Sequence, residues 1–372
     1  MKVLFLLPLV ACLALPAQAD RSLQREVERA ISRGVDYFLE TQNEDGSWGD
    51  PKVPGLTALA LSSLLLDPSR DPQAPLATPL RRGLDYLVRC QNEDGSIFVE
   101  GYANYNTALS IMAFLASRDQ NYQPAILKAR RYLVNLQADE RIQGETDDAW
   151  DGGVGYGSKP IPDLSNTHLA LEALYYSRHL VEERPDAPRL NWEAALTFVS
   201  RCQNLPATND QEWASDDPDQ RGGFIYDPDQ SKAGDYPRPG LPDGKRSYGS
   251  MTYAGLLSFL YAEVDRNDER VLAAVDWLRK NFTVEENPGM GLQGLFYYYH
   301  TMAKALHAAG IEGFETDENQ QIAWREELAL QLFNLQKSDG SWANTNGRWW
   351  EKDPQLVTSY ALLALVQIHA GL

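Results

Sequence analysis

Six times along the chain a threonine heads an apolar helical run: TALALSSL from Thr57, TALSIMAFL from Thr107, THLALEAL from Thr167, TYAGLLSFL from Thr252, TMAKALHAA from Thr301 and TSYALLALV from Thr358. One such unit cannot bury its own apolar surface and must stack on the next, so a sixfold repeat fixes an architecture. Ahead of most of these runs stands an amphipathic helix ending in glutamine and a Gly-rich turn, as in RGVDYFLETQNEDGSWG from Arg33, RGLDYLVRCQNEDGSI from Arg82 and LALQLFNLQKSDGSW from Leu328. The repeating unit is a helical hairpin.

The first helix of each hairpin carries charged residues between apolar positions at helical spacing, so it keeps a wet face and belongs outside. The second is apolar almost all round, with a small residue three positions after the threonine in five copies (Ala60, Ser110, Ala170, Gly255, Ala361). Such a helix must be surrounded by others. The pattern predicts an all-α fold, an α6/α6 toroid in which six outer and six inner helices close into a double ring. The inner helices are expected to begin near the six threonines, all with their N-termini at one mouth.

Arg33, Gly34, Tyr37, Phe38, Gln42, Gly46 and Trp48 form the pattern of the QW repeat, and the last repeat keeps Gln336, Gly340 and Trp342. In this the chain resembles the prenyltransferase and squalene oxidase repeat superfamily, which includes squalene cyclases, class II terpene cyclases and protein prenyltransferase β subunits. Ile97 replaces the tryptophan in repeat two, and the glutamine is missing after the stretch Val275 to Lys280 in repeat five. The resemblance spans nearly the whole chain after the first two dozen residues and implies the toroid. Function does not follow from fold alone.

Lys2, the apolar stretch VLFLLPLVACLALPA, and Ala17, Gln18, Ala19 read as a signal peptide over residues 1–19, leaving one toroid domain over residues 20–372. Export follows, periplasmic or secreted. Leu9, Val10, Ala11 and Cys12 also fit a lipobox, which would anchor the chain to a membrane through Cys12. No other stretch is apolar enough to span a bilayer. With 34 basic against 52 acidic residues, a net charge of −18, nucleic acid is excluded as a partner. Once the leader is cleaved Cys90 and Cys202 remain, on different outer helices, and no CxxC metal signature exists.

Hairpin topology gathers the six segments that join each outer helix to its inner partner at the mouth where the inner helices start. The longest of them carry DDAWDGGVGYGSKPIPDLSN from Asp147, the 36 residues from Asp216 to Met251, PGMGLQGLFYYYH from Pro288 and SDGSWANTNGRWWEKDPQLV from Ser338. Long loops on a rigid scaffold tend to carry function. The inner-helix N-termini, with free N–H groups and positive dipole ends, suit an anionic or carbonyl-bearing ligand group there.

The resemblance assigns chemistry to some of these positions, and the sequence departs from it. Where class II terpene cyclases carry DxDDTA, the chain reads Asp163, Leu164, Ser165, Asn166, Thr167, so the first aspartate is kept and Ser165 replaces the proton donor. Glu145, Thr146, Asp147 and Asp148 imitate the motif but precede a Gly-rich loop. Tyr299, His300 and Thr301 match the histidine-ligand segment of the protein prenyltransferases, yet Ser247 to Thr252 contains neither the Asp nor the Cys of that zinc site. Lys245 and Arg246 stand roughly where that family contacts prenyl diphosphate. No metal and no cofactor are expected.

Spacing alone adds one more constellation. His300, Lys304 and His307 share one face of the fifth inner helix, and His168 and Glu172 share one face of the third. Polar stripes on buried helices need partners. The expected site therefore has Asp163, His300 and His168 as catalytic candidates, with Glu172, Tyr248, Tyr299, Lys304, Trp349 and Trp350 as ligand-binding candidates. The expected ligand is an elongated apolar, isoprenoid-type small molecule or lipid in the central cavity. Two alternatives stand beside it. One is a non-catalytic exported binding or scaffold module with a protein partner. The other is a glycan-acting enzyme on the same fold, with Trp349, Trp350 and Tyr297 to Tyr299 stacking on sugar rings.

Overall fold

The structure, a computed structural model, describes residues 16–138, 148–157, 161–316 and 319–372. Residues 1–15 of the leader, Cys12 among them, lie outside these residues, as do Glu145, Thr146 and Asp147. Among the described residues the chain forms helical hairpins in sequence: α1 (Pro16–Thr41) with α2 (Pro54–Leu65), α3 (Thr78–Arg89) with α4 (Ala103–Ser117), and α5 (Gln123–Asn135) with α6 (Leu164–Tyr176). Then come α7 (Trp192–Arg201) with α8 (Gly249–Tyr261), α9 (Glu269–Lys280) with α10 (Leu295–Ala309), and α11 (Trp324–Leu335) with α12 (Pro354–His369). The inner helices α2, α4, α6, α8, α10 and α12 pack each against the next, and α12 packs back on α2. The ring is closed, an α/α toroid.

Burial follows the sequence pattern. Every residue of α2 is buried, whereas α3 buries only Leu80, Gly83, Leu84, Tyr86 and Leu87. Two short antiparallel ladders decorate the connecting segments: β1 (Asp235–Tyr236) with β2 (Gly244–Lys245), and β3 (Phe314–Glu315) with β4 (Gln321–Ile322).

The repeat residues have a mechanical role. Gln42, Gln91, Gln137, Gln203 and Gln336 each donate from Nε2 to the carbonyl of a turn glycine in the same repeat. The same Nε2 groups donate to the carbonyls of Pro79, Ala125, Asn191, Arg270 and Ala30, in or just ahead of the next outer helix. Each glutamine thus clamps two hairpins together, and Gln336 clamps the last to the first. Only glycine fits the turn: at Gly340, with φ +87°, an added Cβ would lie 2.2 Å from the Arg33 carbonyl oxygen of the neighbouring helix.

The threonines do not start their helices. Thr57 is the fourth residue of α2 and Thr301 the seventh of α10. Prolines at the first positions of α2 and α12, and the side-chain caps Asp163 and Asp353, begin the helices about a turn earlier. From inside the first turns, the hydroxyls of Thr57, Thr107, Thr167, Thr252 and Thr358 accept the backbone N–H of Trp48, Ile97, Val154, Phe224 and Trp342. Each pins its connecting turn to the inner ring. Repeat five is the exception, since Thr301 bonds only within α10. There the Tyr298 and Tyr299 hydroxyls donate to the carbonyls of Thr283 and Val284 instead.

Candidate functional site

All six inner helices start at the same mouth, and their first turns line a cavity of about 210 Å³. Val53 and Leu56 come from the start of α2, Tyr102 and Tyr105 from α4, Ser165 and Asn166 from α6, and Tyr248, Ser250 and Met251 from α8. Gly294 and Tyr297 come from α10 and Leu356 and Tyr360 from α12, while the connecting segments add Tyr156, Tyr226, Trp349, Trp350 and Glu351.

Trp349 and Trp350 form the rim. They are 45% and 46% exposed and both hold positive φ, 54° and 65°, a conformation that bulky residues rarely adopt. The ring of Tyr102 meets Trp350 edge-on at 5.3 Å, and the Arg348 guanidinium covers Trp349 at 4.6 Å. The backbone strain is offset by Glu351, which is buried and reaches the first turn of α10. It accepts the Tyr297 backbone N–H at 2.9 Å and the Asn344 amide at 2.6 Å. Burial raises its carboxyl above the ordinary glutamate range despite these donors.

The helix starts are not free for an anion. Glu351 serves α10, Asp163 caps α6 through the Asn166 N–H at 2.8 Å, and Asp353 caps α12. The Asn106 and Asn287 side chains accept from Gly55 of α2 and Ser250 of α8. The Tyr156 carbonyl accepts from Asn104 of α4. At each helix start an acceptor of the chain itself thus already engages an N–H that an anion would use.

Below the cavity side chains meet across the lumen. His300 stacks on Tyr360 with ring centroids 5.5 Å apart, and the Tyr360 and Tyr105 hydroxyls are 3.0 Å apart. Further down His168 stacks on Tyr261 at 5.9 Å, and Lys304 donates to Glu172. Burial, with the Lys304 charge second, holds His300 well below the usual histidine range and His168 down to about 3. Both imidazoles are neutral at physiological pH. Their Nδ1 atoms are buried and find no partner among the described residues.

The expected site residues thus divide. Tyr248, Trp349 and Trp350 line the cavity. Asp163 stands directly behind it, bonded to Asn166, and burial raises its carboxyl to about 6. His300, Lys304, His168 and Glu172 form the lumen floor rather than the cavity wall. Tyr299 points the other way, its hydroxyl on Val284, so it is a packing residue of the outer ring. His307 is only half-buried. Lys245 and Arg246 both engage Asp235, Lys245 at its carboxylate and Arg246 at its carbonyl.

Sequence reasoning missed Glu351, Tyr105, Tyr156, Tyr226 and Tyr360. It named Tyr297 only as a sugar-stacking group. A signal existed for two of the lining residues: three positions back from His300 is Tyr297 and three back from His168 is Ser165.

No protein-family model and no curated protein matches the chain. Among solved structures it is similar to a variant of the type II terpene cyclase MstE from Scytonema in complex with geranylgeranyl dihydroxybenzoate, its substrate. That likeness has 12% identity, covers 95% of this chain and 100% of the other, and gives a TM-score of 0.53. A second MstE variant, in complex with the product merosterolic acid A, is 13% identical over 95% and 99% of the two chains at 0.51. A protein from Actinoplanes is 14% identical over 92% and 99% at 0.51. At these identities the likeness establishes the fold that these proteins share with the chain.

Proposed function

We propose that the mouth cavity binds an apolar, isoprenoid-type ligand. The wall carries this reading: nine of its eighteen lining residues are tyrosine or tryptophan, and Val53, Leu56, Met251 and Leu356 fill much of the rest. Such a surface offers dispersion contacts and ring faces, with few polar groups to fix orientation. The isoprenoid substrate held by a neighbour of the same fold supports it. The ligand lies across the mouth beneath Trp349 and Trp350, where the cavity's lining residues converge. Binding is the reading, because Ser165 leaves no carboxyl at the position where class II cyclases place their acid.

The half-exposed pair Trp349 and Trp350 favours a second reading, a platform for a neutral glycan. Tryptophan fluorescence separates the two. Titration with farnesol is expected to quench saturably, and native mass spectrometry of the purified chain to find a co-purified apolar molecule. Quenching by a neutral oligosaccharide and not by farnesol would overturn the isoprenoid reading. Export, as a soluble chain beginning at Asp20 or as one anchored through Cys12, rests on the leader pattern of residues 1–19. Sequencing the N-terminus of the purified protein tests it.

A further inference from the structure

The isoprenoid-type reading leaves the ligand's polar end open, and four observations bear on its charge. First, each of the six inner-helix starts already has an N–H engaged by a side chain or carbonyl of the protein, so a phosphate or carboxylate at the mouth would compete with acceptors the chain itself supplies. Second, the charged group in the wall is a carboxylate: Glu351 lines the cavity while buried at the start of α10. Third, a second buried carboxylate, Asp163, stands one layer behind, bonded to the lining residue Asn166. Fourth, none of the described lining residues is Lys, Arg or His, and ring faces, the negative side of an aromatic quadrupole, dominate the surface. An anionic head group would meet like charge here, whereas an ammonium group would meet two carboxylates and a cage of ring faces.

We propose that the mouth cavity selects an apolar ligand bearing a positive charge, an organic ammonium, over one bearing an anionic head. The charged end lies beside Glu351 and the rings of Tyr297 and Trp350, and the apolar body lies against Leu56, Met251 and Leu356. The proposal rests on the isoprenoid-type reading and adds the ligand's charge to it. Glu351 has a positioning role as well, since its contacts with α10 and Asn344 hold the segment that carries both tryptophans.

The test uses the full chain, tryptophan fluorescence, and three probes with one geranyl body: geranyltrimethylammonium, geraniol and geranyl phosphate. The ammonium is expected to bind about tenfold tighter than the alcohol, as a desolvated cation over aromatic faces should, and the phosphate weakest. Glu351→Gln is expected to bring the ammonium and alcohol affinities together. If that variant fails to fold, the head-group order on the unaltered protein still decides. Equal binding of all three probes, or phosphate binding at least as tight as ammonium, overturns the charge preference and leaves the isoprenoid-type reading standing. Ammonium binding that does not saturate, or that a folded Glu351→Gln variant leaves unchanged, reflects attraction to the acidic surface and also overturns the proposal. Binding of none overturns the isoprenoid-type reading, and the charge preference falls with it.

Discussion

Lys304 on α10 donates to the carboxylate of Glu172 on α6, two helices away round the inner ring. The pair therefore ties non-neighbouring helices across the lumen. Lys304 occupies the position that is small in the five other repeats. Glu172 is 2% exposed, so removing its partner strands a buried charge. Lys304→Met alone is expected to destabilise the fold by about 3 kcal/mol, while Lys304→Met with Glu172→Leu recovers most of that loss. Chemical denaturation of the two variants checks this, and a double variant no more stable than the single one would refute it.

Asp163 gives a pH signature of definite sign. Its folded value, about 6, lies above its ordinary value of 3.8, so the folded state holds the proton more tightly. Its contribution to stability is full below the unfolded value and is lost as pH rises towards 6, a change of about 3 kcal/mol. Asp163→Asn keeps a capping side chain and removes the titration. The stability of the natural protein relative to this variant should fall between pH 4 and 6 and stay flat above 7.

His168 and His300 act in the opposite sense. Both are held below the ordinary 6.5 by burial, so the unfolded chain takes up protons that the folded one refuses. Their stabilisation is present above pH 6.5 and is lost as pH falls, at about 1.4 kcal/mol per pH unit for each. Replacing both by Phe, which keeps a ring against Tyr261 and Tyr360, should flatten the acid limb between pH 6 and 4. Stability measured against pH decides it, and an unchanged slope would mean that the two imidazoles are hydrated and charged.

The glutamine clamps should be unequal in effect. Gln336→Leu leaves the Ala30 and Gly340 carbonyls without their donor and is expected to cost about 2 kcal/mol, lowering the melting temperature by roughly 4 °C. The seam between α9 and α11, which has no such clamp, should exchange its amide hydrogens before the other outer seams do. Exchange mapped by mass spectrometry would show this, and a first opening elsewhere would assign the tyrosine bonds at Thr283 and Val284 equal holding power.

The ring and the common mouth were legible because a threonine six times repeated, a glutamine five times repeated and an all-apolar helix each have one physical solution. The helix starts were misplaced by about a turn, because the threonine hydroxyl serves the preceding turn rather than its own helix end. Glu351 was hidden for a related reason. Nothing local marks a glutamate in a loop before α12 as the partner of α10, since the two meet only once the ring has closed. Tyr299 misled because positions two apart on a helix face nearly opposite ways, Tyr297 into the cavity and Tyr299 towards Val284.

The bond from Gln336 to Ala30 also fixes a number. In an open array of repeats the end units carry special polar faces, and units can be gained or lost one at a time. Here there is no end unit, because the sixth hairpin meets the first and each must span the same fraction of a full circle. Duplicating or deleting a hairpin would not give a longer or shorter member of the same series. It would give a broken circle with two raw apolar edges, so a lineage of such chains can vary its loops freely and its repeat count hardly at all.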